Sequence, residues 1–404
     1  MEISPILFCI SIFTFSIICT MRWFSSRMLA GKPPPGPPGL PIIGNLLQLG
    51  NKPHQTMLKY SQNYGPVISL KIGSVTTVVV SSPEMSKQLL RKNEKFLLSR
   101  PVPVAVSAQP NPEATIGWGA ADQWWNSRRR VMNAHLFTSQ KLDSIEELMH
   151  KKVGELISHI NRRCVSESTP VDIGQSVFGT SLNLISNIIF SVDMIDLDSG
   201  LAQEFKNLVE TIMEEAGKPN ISDFFPVLQR FDLQGIRKRI KPCYTRLHQI
   251  FDDIIDKRLQ SRAMSSNPCD FLDVLIDEFG NDEPIFNRVN IKPLILDLFI
   301  AGSDTSAVTI EWAMTELLRN PEMLQKLQNE VDEKFDWKGP AKRIICPGMP
   351  LAMRMLPLVV GSLVRNFDWK LPEGTTSENI DMEEQFGVTM RKAIPLLLVP
   401  TIKE

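Results

Sequence analysis

Between Leu142 and Arg163, apolar side chains recur at 142, 145, 148, 149, 153, 156, 157 and 160. Steps of three and four residues place them on one stripe, so the segment predicts an amphipathic helix. Residues 173–190, 199–216 and 233–262 also read as helices. Residues 290–320 form one long apolar run with Pro293 near its start, where proline is tolerated in a helix. At about 1.5 Å per residue, that helix spans roughly 45 Å, the width of a domain. Two β-rich runs, Val67 to Ile72 and Val75 to Ser81, flank Gly73-Ser74 and predict a hairpin. Phe224-Phe225-Pro226 breaks two helices and could face a membrane or a substrate. The chain has no internal repeats and is expected to be mainly α with a small β portion.

Residues Ile3 to Met21 are almost all apolar, with Glu2 before them and Arg22, Arg27 and Lys32 after. That length crosses a bilayer as one helix. An acidic start and no small-x-small cleavage site argue against a removable signal peptide. Positive charge after the span predicts a cytoplasmic body. Lys32-Pro33-Pro34-Pro35-Gly36-Pro37-Pro38-Gly39-Leu40-Pro41 follows, a run too proline-dense to be helical and expected to be a stiff linker. The expected division is a membrane anchor at 1–22, a basic, proline-rich hinge at 23–46 and a main body at 47–404.

Composition narrows the classes. Of 404 residues, 43% are hydrophobic and 22% charged, as in globular proteins. A net charge of −1 gives no nucleic-acid surface. Six cysteines without CxxC pairing argue against a disulfide framework and against zinc. Five histidines show no HxxxH or HExxH spacing and read as surface or satisfied core residues.

Three motifs carry candidate chemistry. Cys346 lies between Lys342-Arg343 and Pro347-Gly348, at the head of an apolar helical stretch. Basic neighbours and a helix N-terminus both favour thiolate over thiol, which suits a metal ligand. Ala301-Gly302-Ser303-Asp304-Thr305-Ser306 sits inside the long helix. Small residues there admit a flat group or diatomic ligand, and an acid beside a hydroxyl can relay protons; a polar kink with threonine bonded back to the helix is the structural alternative. In Trp124-x-x-x-Arg128, one helical turn puts a ring and a guanidinium on one face, able to grip a carboxylate on an apolar body; a solvated basic face is the alternative.

In this order, anchor, proline hinge, Trp-x-x-x-Arg, Ala-Gly-x-Asp-Thr and Cys-Pro-Gly resemble the microsomal cytochromes P-450, the haem-thiolate monooxygenases, over nearly the whole chain. Leu97 to Pro103, Glu316 to Pro321, Pro350 to Leu356 and Asn366 to Gly387 resemble the plant terpenoid-oxidising branch that includes geraniol hydroxylases and ferruginol synthases. The resemblance implies haem b, with Cys346 as its iron ligand. It implies Trp124 and Arg128 on the haem propionates, Arg343 beside the haem, Ala301 and Gly302 shaping the oxygen groove, and Asp304 and Thr305 delivering protons. Its implied partners are O2, a small apolar substrate, the endoplasmic reticulum membrane, and NADPH acting through NADPH–cytochrome P-450 reductase. Pro101 to Ser107, Phe224 to Phe225, Ile300 and Val388 would line the substrate pocket.

The chain also departs from the family. Thr305 and Cys346 are 41 positions apart, a much shorter interval than intact members have. The family's Glu-x-x-Arg helix and its meander belong there, so the cytochrome P-450 fold is expected to be incomplete, with an internal deletion near 332–341. Glu316-Leu317-Leu318-Arg319 matches Glu-x-x-Arg in spelling only, because it closes the long helix. The cysteine loop, which the family writes Phe-x-x-Gly-x-Arg-x-Cys, here has Gly339, Lys342 and Ile344 at its fixed positions, with Arg343 one place off. Losing a layer uncovers apolar area worth tens of kcal/mol at roughly 25 cal/mol per Å². Native domains hold only about 5–15 kcal/mol. The competing expectation is therefore a membrane-tethered, non-catalytic product of a shortened gene or transcript.

Overall fold

The structure is a computed structural model that describes residues 33–166, 170–197, 200–262, 270–279, 286–332 and 346–403. The expected anchor at 1–22, Arg343 and residues 333–341 at the expected deletion lie outside the described residues. The chain divides into two compact units, Met1–Glu94 and Lys95–Glu404.

In the first unit, β1 (Val67–Ile72) and β2 (Val75–Val80) form the expected antiparallel hairpin, pairing Val67 with Val80 and Ile72 with Val75. Ile68, Leu70 and Ile72 alternate inward and are buried. The proline run is docked along β1, where Ser69 N donates to Pro35 O at 3.0 Å and Lys71 N to Asn45 Oδ1 at 2.8 Å. Helix α1 (Pro53–Tyr64) precedes the hairpin and α2 (Pro83–Leu97) follows it.

The second unit is mainly helical. In order come α3 (Gln123–Leu136), α4 (Ser139–Ser144), α5 (Glu146–Ser166), α6 (Ile173–Phe190), α7 (Gly200–Gly217), α8 (Ile221–Phe224), α9 (Ile236–Arg262), α10 (Phe271–Phe279), α11 (Arg288–Arg319), α12 (Pro321–Asp332) and α13 (Met349–Asn366). β3 (Val171–Asp172), β7 (Leu397–Ile402) and β4 (Phe367–Lys370) form a small antiparallel sheet in the order β3-β7-β4, while β5 (Glu384–Gln385) pairs with β6 (Arg391–Lys392).

The long apolar run is α11, the spine of this unit, and nearly all of α6 is buried along it. Phe299 of α11 sits 5.4 Å from Phe190 of α6, 6.2 Å from Phe205 of α7 and 5.3 Å from Phe251 of α9, ring centre to ring centre. Asn287 caps α11, its side chain accepting from Val289 N and Asn290 N. Asp252 of α9 then binds Arg288 at 3.0 Å and Lys292 at 2.8 Å.

Two expected helices have different limits. The stripe from Leu142 to Arg163 is split at Ile145 (φ −101°, ψ 4°) into α4 and α5, with Thr138 capping α4 through Lys141 N. The helix expected from 233 begins at Ile236, because Asp232 and Gly235 take positive φ and the Asp232 carboxylate caps Arg237 N and Lys238 N. At the far end of α11, Glu316 and Arg319 form a surface ion pair of 3.2 Å within one helix, a contact of little energetic weight.

Candidate active site

The motif residues of α11 divide between two faces. Ala301, Thr305 and Thr309 are exposed and fall four residues apart, one stripe on the helix. The Thr305 hydroxyl donates to Ala301 O at 2.6 Å and the Thr309 hydroxyl to Thr305 O at 2.7 Å, so both lie back against the helix. Gly302 faces α6, where a Cβ would come within 2.7 Å of Ile185 Cδ1; its smallness serves helix packing. Asp304 is buried, its carboxylate accepting from Thr389 Oγ1 at 2.6 Å and from Arg391 Nη2 at 3.0 Å. Arg391 also reaches Glu210 of α7 at 2.9 Å.

Trp124 and Arg128 of α3 differ in exposure. Trp124 is 39% exposed, and Trp125 takes the buried position instead, donating Nε1–H to Ile116 O at 3.0 Å. Arg128 is 5% exposed. Its Nη2 donates to Glu113 O at 3.0 Å, while its Nε is buried without a partner. Burial holds the Arg128 pKa below its ordinary value, against the pull of Asp122, Glu113 and Asp297.

Cys346 is a free, exposed thiol, and its carbonyl accepts from Met349 N at 3.4 Å in the turn that opens α13. Gly348 is the N-cap, without a side-chain cap, so the first amides of α13 have no side-chain partner there. Of the expected substrate-pocket residues, Val104 and Val106 are buried, Phe224, Phe225 and Ile300 half-buried, and Val388 exposed. One cavity of about 800 Å³ lies between α5 and residues 193–197 and another of about 460 Å³ lies on α9; neither is lined by Arg128, Thr305 or Cys346.

Sequence reasoning missed two acids of α11, the half-buried Asp297 and the buried Glu311. Asp297, Asp304 and Glu311 recur every seven residues, two helical turns apart. Each binds a different segment. Asp297 Oδ2 accepts from Ile116 N at 2.5 Å and Gly117 N at 2.9 Å; Glu311 Oε1 accepts from Leu396 N at 2.8 Å. Burial pushes the Asp297 carboxyl up to about 6 and raises that of Glu311 as well. The seven-residue acidic spacing inside an apolar run was the available signal.

The Cytochrome P450 family profile matches residues 34–341 and, as a second piece, 342–397. The chain belongs to the cytochrome P450 family. It is 35% identical to geraniol 8-hydroxylase of Catharanthus roseus over 462 aligned positions, covering 91% of this chain and 94% of the relative. Geraniol 8-hydroxylase of Swertia mussotii is 34% identical over 484 positions (96% and 97%), and Cytochrome P450 76T24 of Catharanthus roseus 33% identical over 477 (94% and 95%). These relatives put the chain among plant P450s. All three alignments are longer than the 404 residues of this chain, so the relatives carry residues with no counterpart in it.

Membership of the P450 family implies a haem cofactor. The residues of this P450 fit one. A buried guanidinium with an open Nε–H suits an acidic edge group. The exposed stripe of Ala301, Thr305 and Thr309 presents small side chains to a flat ring. Cys346 is a free sulfur at the head of a helix.

Proposed function

We propose that this P450 is a haem-thiolate monooxygenase that inserts one oxygen atom from O2 into a small apolar, terpenoid-like plant metabolite. Electrons would come from NADPH through NADPH–cytochrome P-450 reductase, at the endoplasmic reticulum membrane. The observation that carries the reading is the free Cys346 at the head of α13, in a chain that matches its family from 34 to 397. The terpenoid class is supported by two relatives that are geraniol 8-hydroxylases.

A bound haem supplies reductive activation of O2 and oxygen transfer to carbon. The chain's own residues would do the rest. Cys346 would give the sulfur ligand, and Arg128 Nε would take a propionate oxygen. Thr305 would hold a proton at Oγ1, which it now spends on Ala301 O. Asp304 could carry a proton only after Thr389 or Arg391 releases one of its oxygens. Ala301 would leave room for oxygen and substrate. The single N-terminal span would anchor a cytoplasmic body.

A second reading is favoured by specific observations. Cys346 and the stripe at 301, 305 and 309 are exposed, and the family match changes piece between 341 and 342. These support a non-catalytic, membrane-tethered product that has lost the Glu-x-x-Arg segment near 332–341. Reduced microsomes carrying the chain, treated with carbon monoxide, decide between the two. A thiolate-type Soret band is expected for the monooxygenase; its absence gives the second reading. Amplifying the transcript across codons 330 to 345 then tells whether a longer product restores the segment.

A further inference from the structure

Residues 104–117 run between α8, α9 and α11, and two half-buried carboxylates hold their backbone. Asp223 of α8 accepts from Val104 N at 2.7 Å. Asp297 of α11 accepts from Ile116 N and Gly117 N at 2.5 and 2.9 Å. Two lesser ties lie between: Arg237 Nη2 donates to Ser107 Oγ at 3.2 Å and Asn111 Nδ2 to Asn290 Oδ1 at 2.7 Å. The outward side of the same segment serves α3, with Ile116 O taking Trp125 Nε1–H and Glu113 O taking Arg128 Nη2–H. The hydrogen bond that orients Arg128 thus runs to a backbone atom of a strap, Glu113 O, and the strap is nailed at its ends by acids on other helices.

We propose that Asp297 and Asp223 are positioning residues that fasten the 104–117 strap at its two ends and, through the Glu113 carbonyl, aim the Arg128 guanidinium. The proposal rests on the haem reading only for what Arg128 then binds. A carboxylate is a costly choice for a buried amide acceptor. Burial raises both carboxyls against the amides they accept and against Arg128 and Arg237, while Tyr244 faces Asp297 from α9. What a carboxylate adds over a neutral acceptor is negative charge beside Arg128, whose own charge burial opposes.

The test uses the full chain in detergent and the variants Asp297→Ala, Asp297→Asn, Asp223→Ala and Arg128→Ala. Hydrogen exchange should speed about tenfold at residues 116–117 in Asp297→Ala, and at 104 in Asp223→Ala, the effect of one lost charged hydrogen bond. Asp297→Asn, which keeps an acceptor oxygen, should stay near wild type. Phenylglyoxal should leave buried Arg128 unlabelled in wild type and label it in Asp297→Ala with the circular dichroism unchanged. Unaltered exchange in the alanine variants, or an Arg128 that stays shielded while the strap exchanges fast, overturns the proposal. Haemin titration separates the two readings. Arg128→Ala and Asp297→Ala should weaken uptake by similar factors and not add when combined; additive losses count against aiming through Arg128. If wild type takes up no haemin, the haem reading fails while exchange and labelling still decide the strap.

Discussion

Arg391 lies 3.0 Å from one carboxylate oxygen of Asp304, and both side chains are withdrawn from water, at 12% and 3% exposure. Thr389 occupies the other oxygen at 2.6 Å. The acid of the Ala-Gly-x-Asp-Thr motif is therefore held by the segment before β7, 85 to 87 residues further along the chain. Removing one member of such a pair leaves the other buried and uncompensated, a loss of about 3–5 kcal/mol. Arg391→Met should lower the unfolding free energy, read from urea titration, by that amount. Restoring neutrality with Asp304→Asn in the same chain should recover much of it. A double-mutant cycle with no coupling would mean the two side chains are not paired in solution.

Gly217 makes that arrangement possible. It closes α7, and a Cβ there would meet Gly387 C at 2.3 Å and Gly387 Cα at 2.5 Å, while Val388 N donates to Met213 O at 3.2 Å nearby. Both obstacles are backbone, so neither can swing aside. Gly217→Ala should push residues 387–391 away from α7 and loosen the grip of Arg391 on Asp304. We expect a loss of about 1–3 kcal/mol from overpacking, and it should be smaller in an Arg391→Met background, where the ion pair is already gone. Equal losses in both backgrounds would place the effect elsewhere.

His248 contradicts the expectation of a satisfied core histidine. It is 6% exposed, and neither ring nitrogen has a hydrogen-bond partner. Burial, with Lys292 nearby and Asp252 opposing, pushes its pKa down to about 4 from an ordinary 6.5. The unfolded chain therefore binds a proton that the folded chain refuses between these values, and stability falls as pH drops from about 6.5 to about 4. The drop from this residue is about 3 kcal/mol, at 1.36 kcal/mol per unit. His248→Leu should abolish that acid sensitivity and leave the chain as stable or more so at pH 7, since two orphaned nitrogens are removed. Thermal melts of both chains at pH 7 and 4.5 measure the difference; parallel shifts would rule the histidine out.

What could be read from the chain follows the range of the forces involved. Helix α6 has the expected limits and α11 lies within two residues of its own, because burial of apolar side chains writes a local period. The break at Ile145 was hidden because the stripe 142, 145, 149, 153 runs through it without a change of step. Arg128 was visible as a motif, but its burial one turn from an exposed Trp124 was not, since one helical turn fixes direction and not what covers each residue. The partners of Asp297 and Asp304 lie 85 to 181 residues away in sequence, so no window could contain them. Only the repeat of seven among Asp297, Asp304 and Glu311 left a trace.

Cys346 carries the last prediction. Among the described cysteines it is the exposed one; Cys243 is buried and Cys164 half-buried, and burial raises the pKa of both of these thiols. Thiolate and access together set alkylation rates, so iodoacetamide should modify Cys346 well before Cys164 or Cys243 in the haem-free chain. Haemin should then protect Cys346 and leave the slower pair unaffected, because a sulfur bound to iron is no longer a free nucleophile. Peptide mapping after a timed pulse reads all three at once. Cys346→Ser should remove the fast site and, with it, any thiolate-type band under carbon monoxide. Protection of Cys164 or Cys243 instead, or a band that survives the serine substitution, would mean that haemin is held by some other part of the chain.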